Sequence, residues 1–174
     1  MDVVRLIQLV RTHLSASGQP FALAGAFALN AYGLGRETHD LDLIVPREAQ
    51  AALIARLEEL AFKTLHASEG YSNHLHADGS RLDFIYVDRE TGDKLFSAAR
   101  FVPFIDGEPV RVPRPEHLIA LKVHAIKNDP SRRYQDLADI AFLLRLPGID
   151  AQEARGYFAR AGLREDWDEL QKRR

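Results

Sequence analysis

The run Asp40-Leu41-Asp42-Leu43-Ile44-Val45 constrains this chain more than any other segment. Its apolar residues belong to a buried strand, yet two acids sit in it at positions i and i+2. Such positions leave the same face of a strand. Asp40 and Asp42 therefore project side by side, while Leu41 and Leu43 point the other way. Two carboxylates that close repel each other unless a cation lies between them or one takes a proton. Paired oxygen ligands of this kind suit Mg²⁺ or Mn²⁺. A strand end whose acids simply meet solvent or an arginine accounts for the same spacing.

What precedes the acids narrows the choice. Phe21-Ala22-Leu23-Ala24 reads as a short apolar strand, followed by Gly25-Ala26 and a helical stretch, Phe27 to Tyr32. Glycine between a strand and a helix lets the backbone approach a ligand closely. The helix start behind it offers unpaired N–H groups and a positive dipole end, which suit phosphate. An ordinary strand-to-helix turn has the same residues. Combined with Asp40 and Asp42, fifteen and more residues on, the turn describes a place where phosphates rest while a metal on the acids bridges them.

The rest of the chain alternates at first and then turns helical. Val3 to Leu14 has apolar residues at helical spacing, and Leu41 to Val45 is the second strand. Pro46 opens a helix over Arg47 to Leu60. Phe62 to His66, Tyr71 to His76 and Arg81 to Val87 read as three strands, and Gly92 to Ala99 as a short helix. Phe101 to Ile105 and Val110 to Val112 flank Asp106-Gly107, a hairpin signal. From Pro115 onward the pattern is helical: Pro115 to Lys127, Arg132 to Leu144, Ala151 to Ala161, and Arg164 to the end.

Composition agrees with a compact enzyme. A length of 174 residues with 46% hydrophobic content fills one sizeable core, and the net charge of −2 creates no global cationic field. With no cysteine, disulfides and thiolate metal sites are excluded. No apolar run approaches the length of a membrane span, and the amphipathic start carrying Arg5 and Arg11 is no signal peptide, so a soluble cytoplasmic protein is expected.

Several residues bear chemistry in more than one way. On Arg81 to Val87, the residues Leu82, Phe84 and Tyr86 share one face, while Asp83, Ile85 and Val87 share the other. Burying Asp83 unpaired would be costly, and Arg81 is one candidate partner. Asp88 reads as a solvent acid at the strand end. Thr38 shares the face of Asp40 if the strand begins early; its hydroxyl then binds phosphate or is a place where phosphorylation blocks the site. Arg36 steadies acids or phosphates, or lies in water. His74 and His76 share a strand face, with His39 next to the acids, which suggests a zinc hydrolase. A polar strand facing solvent explains His74, Asn73 and His76 equally. Arg132, Arg133, Arg155, Arg160, Arg164, Lys172, Arg173 and Arg174 in the C-terminal helices make either a backbone-binding surface or a solvated helix face weakened by Glu165, Asp166, Asp168 and Glu169.

Gly25-Ala26, a helix, and then Arg36-x-Thr38-x-Asp40-x-Asp42 resembles the signature of the polymerase-β-like nucleotidyltransferase superfamily, in particular the small AbiEii- and MenT-type toxins. A second match is Lys122 followed by Arg132-Arg133-Tyr134-Gln135-Asp136-Leu137-Ala138-Asp139-Ile140, similar to the Lys…(Arg/Lys)-x-x-Asp-Leu-x-Asp-Leu pattern of those enzymes. The usual second residue of the turn is Gly or Ser, and Ala26 removes a hydroxyl contact to phosphate. The resemblance implies an α+β fold, a mixed sheet flanked by helices. Residues 1–113 would form the nucleotidyltransferase core, and 114–174 a helical portion packed on it as one compact unit. It implies that Asp83 joins Asp40 and Asp42 around Mg²⁺ (or Mn²⁺), and that Gly25, Ala26, Arg36, Thr38 and Lys122 contact the nucleotide. Asp136 would fix Lys122 or polarise the acceptor. The activity implied is metal-dependent transfer of a nucleoside monophosphate from an NTP to a hydroxyl on a tRNA 3′ end or a protein, by a toxin with an antitoxin partner. A small-molecule acceptor, as in antibiotic nucleotidyltransferases, and a degenerate non-catalytic binding module are the alternatives.

Overall fold

The computed structural model describes residues 2–172 and divides after Pro113 into two compact units. The first opens with α1 (Val3–Ala16), whose N-terminus is capped by Asp2 accepting the Arg5 N–H at 2.9 Å. β1 (Ala22–Leu23), α2 (Gly25–Asn30) and β2 (Leu41–Pro46) follow. A single 3₁₀ turn then leads into α3 (Gln50–Glu59). β3 (Phe62–Ala67), β4 (Tyr71–His76), β5 (Arg81–Val87), α4 (Arg89–Ser97), β6 (Arg100–Pro103) and β7 (Pro109–Val112) complete the unit. The strands form one seven-stranded mixed sheet in the order β3-β4-β5-β2-β1-β7-β6. β2 runs parallel to β5 and β1 parallel to β7, while the other neighbours are antiparallel. This is the expected α+β class.

The alternation read from sequence sets the inner face. Leu41, Leu43 and Val45 of β2 and Leu82 and Phe84 of β5 are fully buried, as are Leu6, Ile7, Val10 and Leu14 of α1. Burying each such side chain contributes about 1.5–3 kcal/mol.

Three local expectations change. Pro46 is the last residue of β2, in register with Val87, and the N-cap of the 3₁₀ turn Arg47–Ala49, so α3 itself begins only at Gln50; its φ of −60° and ψ of 143° are compatible with extended backbone. The α4 helix starts at Arg89 and not at Gly92, because Asp88 caps it, accepting the Thr91 N–H at 2.8 Å. Those bonds also hold the Asp88 carboxyl below its usual range. Asp88 is thus a helix cap as well as an exposed acid.

His74 is the third correction. It does not face solvent: β4 lies between β3 and β5, and His74 is only 1% exposed. Its Nε2 is 2.8 Å from Ser72 Oγ, and its Nδ1 is 3.2 Å from Thr64 Oγ1. Ser72 Oγ in turn meets Tyr86 Oη at 2.6 Å, and Thr64 donates to Glu58. Hydrogen bonds at both ring nitrogens offset the desolvation of the imidazole. Burial lowers the His74 pKa, as it does that of His117 in the second unit. An unfolded histidine takes its proton near pH 6.5, so below that value the unfolded chain binds more protons than the folded one. The stability gained from keeping His74 neutral is therefore present above about pH 6.5 and is lost as pH falls toward its depressed folded value. Calorimetric melts are expected to show Tm falling from pH 7 to pH 5.5. His74→Leu should have a shallower slope, the remainder belonging to His117. An unchanged slope would remove His74 as a cause.

The second unit is all-helical: α5 (Pro115–Asn128), α6 (Arg133–Leu143), α7 (Ala151–Ala161) and α8 (Arg164–Lys172). Pro115 occupies the first turn of α5, where it needs no partner for its missing N–H. Asp150 caps α7, and Gly162 ends it at a φ of +79°. Phe158 and Trp167 pack 5.5 Å apart, centroid to centroid. Arg173 and Arg174, two members of the basic set, lie outside the described residues.

Candidate active site

Two of the three expected metal ligands are neighbours by strand register. In the parallel β2–β5 pair, Asp42 stands opposite Asp83. Strand neighbours are about 4.8 Å apart and share a face, so both side chains leave the sheet together. Each is half-buried, whereas Leu41, Leu43, Leu82 and Phe84 beside them are buried. Asp40 precedes β2, which begins at Leu41, and is also half-buried.

Gly25 lies directly against this pair. Its φ is +52°, a left-handed conformation that costs other residues roughly 1–2 kcal/mol. A Cβ built there would sit 1.9 Å from Asp42 Oδ2 and 2.6 Å from its Cγ. The Ala24 N–H donates to the Asp42 carbonyl at 2.9 Å, fastening the turn to β2. No side chain caps α2, and Ala26 in its first turn is buried.

The loop between α2 and Asp40 is held by Asn30, which sequence reading passed over. Its Oδ1 accepts the Arg36 N–H at 2.7 Å, and its Nδ2 donates to the Arg36 carbonyl at 2.6 Å. Asn30 thereby fixes where Arg36 leaves the chain. Because β2 starts at Leu41, Thr38 lies in this loop, outside the strand alternation, and donates to the Asp40 carbonyl at 3.3 Å.

Tyr71 of β4 was also passed over, and its hydroxyl donates to Asp83 Oδ2 at 2.8 Å. Only the β4–β5 register shows it: Asn73 faces Asp83 and Tyr71 faces Ile85, which puts the phenol diagonally across from the acid. The Asn73 Oδ1 is buried with no hydrogen-bond partner.

The histidines form no metal set, since His74 is buried in its own network and His39 is exposed beside Glu37. Among the described residues, no three or more His, Asp or Glu side chains are gathered to hold a metal ion. The hard oxygen donors of Asp42 and Asp83 in adjacent register nevertheless match the chemistry of Mg²⁺ or Mn²⁺.

In the helical unit, Lys122 of α5 is clamped between two acids of α6. Its Nζ is 2.8 Å from Asp136 Oδ1 and 2.6 Å from Asp139 Oδ2, which occupies two of its three N–H donors. Asp136 is fully buried and also accepts from Arg132 Nε at 3.2 Å. An i,i+4 pair of Arg132 with Asp136 is thus present together with the cross-helix bridge. Removing one partner of a buried pair leaves an uncompensated charge and costs about 3–5 kcal/mol. Lys122→Met is expected to lose that much stability in urea denaturation. A loss below about 1 kcal/mol, the range of solvated surface pairs, would contradict it. Of the described basic residues, Arg133 is tied to Asp166 at 2.5 Å and to Glu169 at 2.8 Å, so those two acids are turned inward on one arginine.

Comparison with known proteins bears on the fold and the family. A family model described as "Nucleotidyl transferase AbiEii toxin, Type IV TA system" matches residues 8–173. No curated protein matches the chain significantly. Among solved structures, the antibiotic-resistance factor ANT(2'')-Ia is similar with a TM-score of 0.66 at 19% identity, over 99% of this chain and 98% of that one. The lincosamide antibiotic adenylyltransferase LnuA, lincomycin-bound, has a TM-score of 0.56 at 14% identity, over 80% of this chain and 94% of that one. The Thermotoga maritima CCA-adding enzyme complexed with tRNA has a TM-score of 0.51 at 16% identity, over 95% of this chain but 46% of that one. At these identities the likeness speaks for the fold alone, whereas the family match spans nearly the whole sequence. On that match, the chain belongs to the AbiEii nucleotidyltransferase toxins of type IV toxin–antitoxin systems.

Proposed function

We propose that this nucleotidyltransferase moves a nucleoside monophosphate from an NTP to a hydroxyl acceptor, a tRNA 3′ end or a protein, in a metal-dependent reaction. Its cellular role is that of a cytoplasmic toxin held in check by an antitoxin protein. The observation that carries the reading is the side-by-side placement of Asp42 and Asp83 with the Gly25 backbone flush against Asp42. Among the described residues, no helix is long and apolar enough to cross a membrane.

Asp42 and Asp83, with Asp40, would hold Mg²⁺ or Mn²⁺, which when bound neutralises charge on the triphosphate and on the leaving pyrophosphate. The remaining roles belong to the chain itself. Gly25 keeps the turn bare so that phosphate oxygens can approach the backbone, and the uncapped first turn at Ala26 receives them. Arg36, fixed by Asn30, and Thr38 steady the phosphates. Lys122 serves as a point cation for phosphate, and Asp136 orients it.

A small-molecule acceptor is the second reading, favoured by the similarity of the whole chain to ANT(2'')-Ia, a protein also known in complex with adenylyl-2''-tobramycin. Each labelled NTP, with Mg²⁺, should be offered to total tRNA, to a protein lysate and to an aminoglycoside in parallel. Label in RNA or protein supports the toxin reading, and label in the aminoglycoside alone replaces it. Transfer undiminished by EDTA would remove the metal.

A further inference from the structure

We infer that Tyr71 is the positioning residue for Asp83 in nucleotidyl transfer. The inference rests on the proposed metal-holding role of Asp83.

The physical problem at this face is repulsion. Asp42 and Asp83 stand opposite each other in register and project from the same side of the sheet. Two like charges on adjacent strands push each other apart, and a carboxylate at the end of one Cβ–Cγ bond escapes by rotating. Asp42 cannot retreat toward α2, because Gly25 already lies against it. Asp83 therefore has to be tethered. Tyr71 supplies the donor. Its hydroxyl meets Asp83 Oδ2 at 2.8 Å in a half-buried setting. A hydrogen bond to a charged acceptor is shorter and roughly twice as strong as a neutral one.

The phenol is itself anchored. Tyr71 is the first residue of β4, an interior strand, and its ring stands 6.4 Å from that of His66 on β3. A rigid ring on a paired strand holds its hydroxyl at a fixed point, which in turn sets the plane of the Asp83 carboxylate. Groups that orient a metal-binding side chain in this way are worth about 10- to 100-fold in metal affinity or activity.

The test uses the full chain and Mn²⁺ itself as the probe. Free Mn²⁺ is titrated by electron paramagnetic resonance against wild type, Tyr71→Phe and Tyr71→Leu, with thermal melts and transfer kinetics alongside. Tyr71→Phe removes only the hydroxyl, and Tyr71→Leu removes the ring as well. The expected result is that both variants bind Mn²⁺ about 10- to 100-fold more weakly, with a matching fall in kcat, an unchanged KM for the acceptor, and a Tm for Tyr71→Phe within a few degrees of wild type. Wild-type Mn²⁺ binding by Tyr71→Phe overturns the inference, and so does a defect confined to Tyr71→Leu, which assigns the effect to packing. In both of those cases the metal reading of Asp42 and Asp83 stands. Transfer by a wild-type protein that binds no Mn²⁺ overturns both together.

Discussion

Asp42→Ala is expected to lower the rate of nucleotidyl transfer by at least about 10²–10³-fold, the scale seen when one electrostatic stabiliser is removed from an active site. The protein should lose no thermal stability. The bond that fastens the Gly25 turn to β2 uses the Asp42 carbonyl, which alanine keeps. The side chain is half-buried and stands opposite another acid. Its removal relieves a like-charge contact, and an unchanged or higher Tm would mark Asp42 as a residue kept for function at a cost in stability. A single assay of labelled NMP transfer, paired with a melt, checks both halves. Activity close to wild type would dismiss the acid pair as the active site. A collapse of both activity and Tm would show that Asp42 is a structural acid.

Gly25→Ala should be nearly as damaging by a different route. The added methyl would stand 1.9 Å from Asp42 Oδ2, well inside any real contact, on a backbone with φ of +52°. Either α2 shifts or the carboxylate rotates away, and in both cases the turn and the acid part company. Transfer is expected to fall to about the level of Asp42→Ala, with a stability loss of at least about 1–2 kcal/mol from the backbone strain alone. The two substitutions should not add. Once Asp42 is alanine, the two nearest clashing atoms are gone, and Gly25→Ala then costs little beyond the strain. Urea denaturation of the two single variants and the double variant isolates this coupling. Strict additivity would mean that Gly25 and Asp42 do not touch in solution.

Much of this site was readable from short stretches of sequence. Alternation identified β2 and β5 and separated Asp42 and Asp83 from the leucines and the phenylalanine that line the opposite face. The glycine between Ala24 and Ala26 marked the place of close approach. Proline and glycine punctuation gave α5 and α7 to within a residue at each end. Elsewhere the same local reasoning misplaced residues. His74 occupies a polar alternation that suggests solvent, and it is buried because Ser72 and Thr64 satisfy both of its ring nitrogens. The contact of Lys122 with Asp136 was expected from the resemblance, and the structure adds Asp139 of the same helix as a second acid on the lysine.

The sequence by itself determined which residues are acidic, which glycine precedes the helix, and which face β2 and β5 turn inward, since these depend on periods of two or 3.6 residues within one segment. Only the tertiary structure decided that Asp42 stands opposite Asp83, that Tyr71 reaches that acid, and that Gly25 leaves no room beside it. The reason is that strand register is a relation between segments far apart in the chain. It is settled by the packing of the buried leucine and phenylalanine rows, and no local period specifies which residue of one strand will face which residue of another.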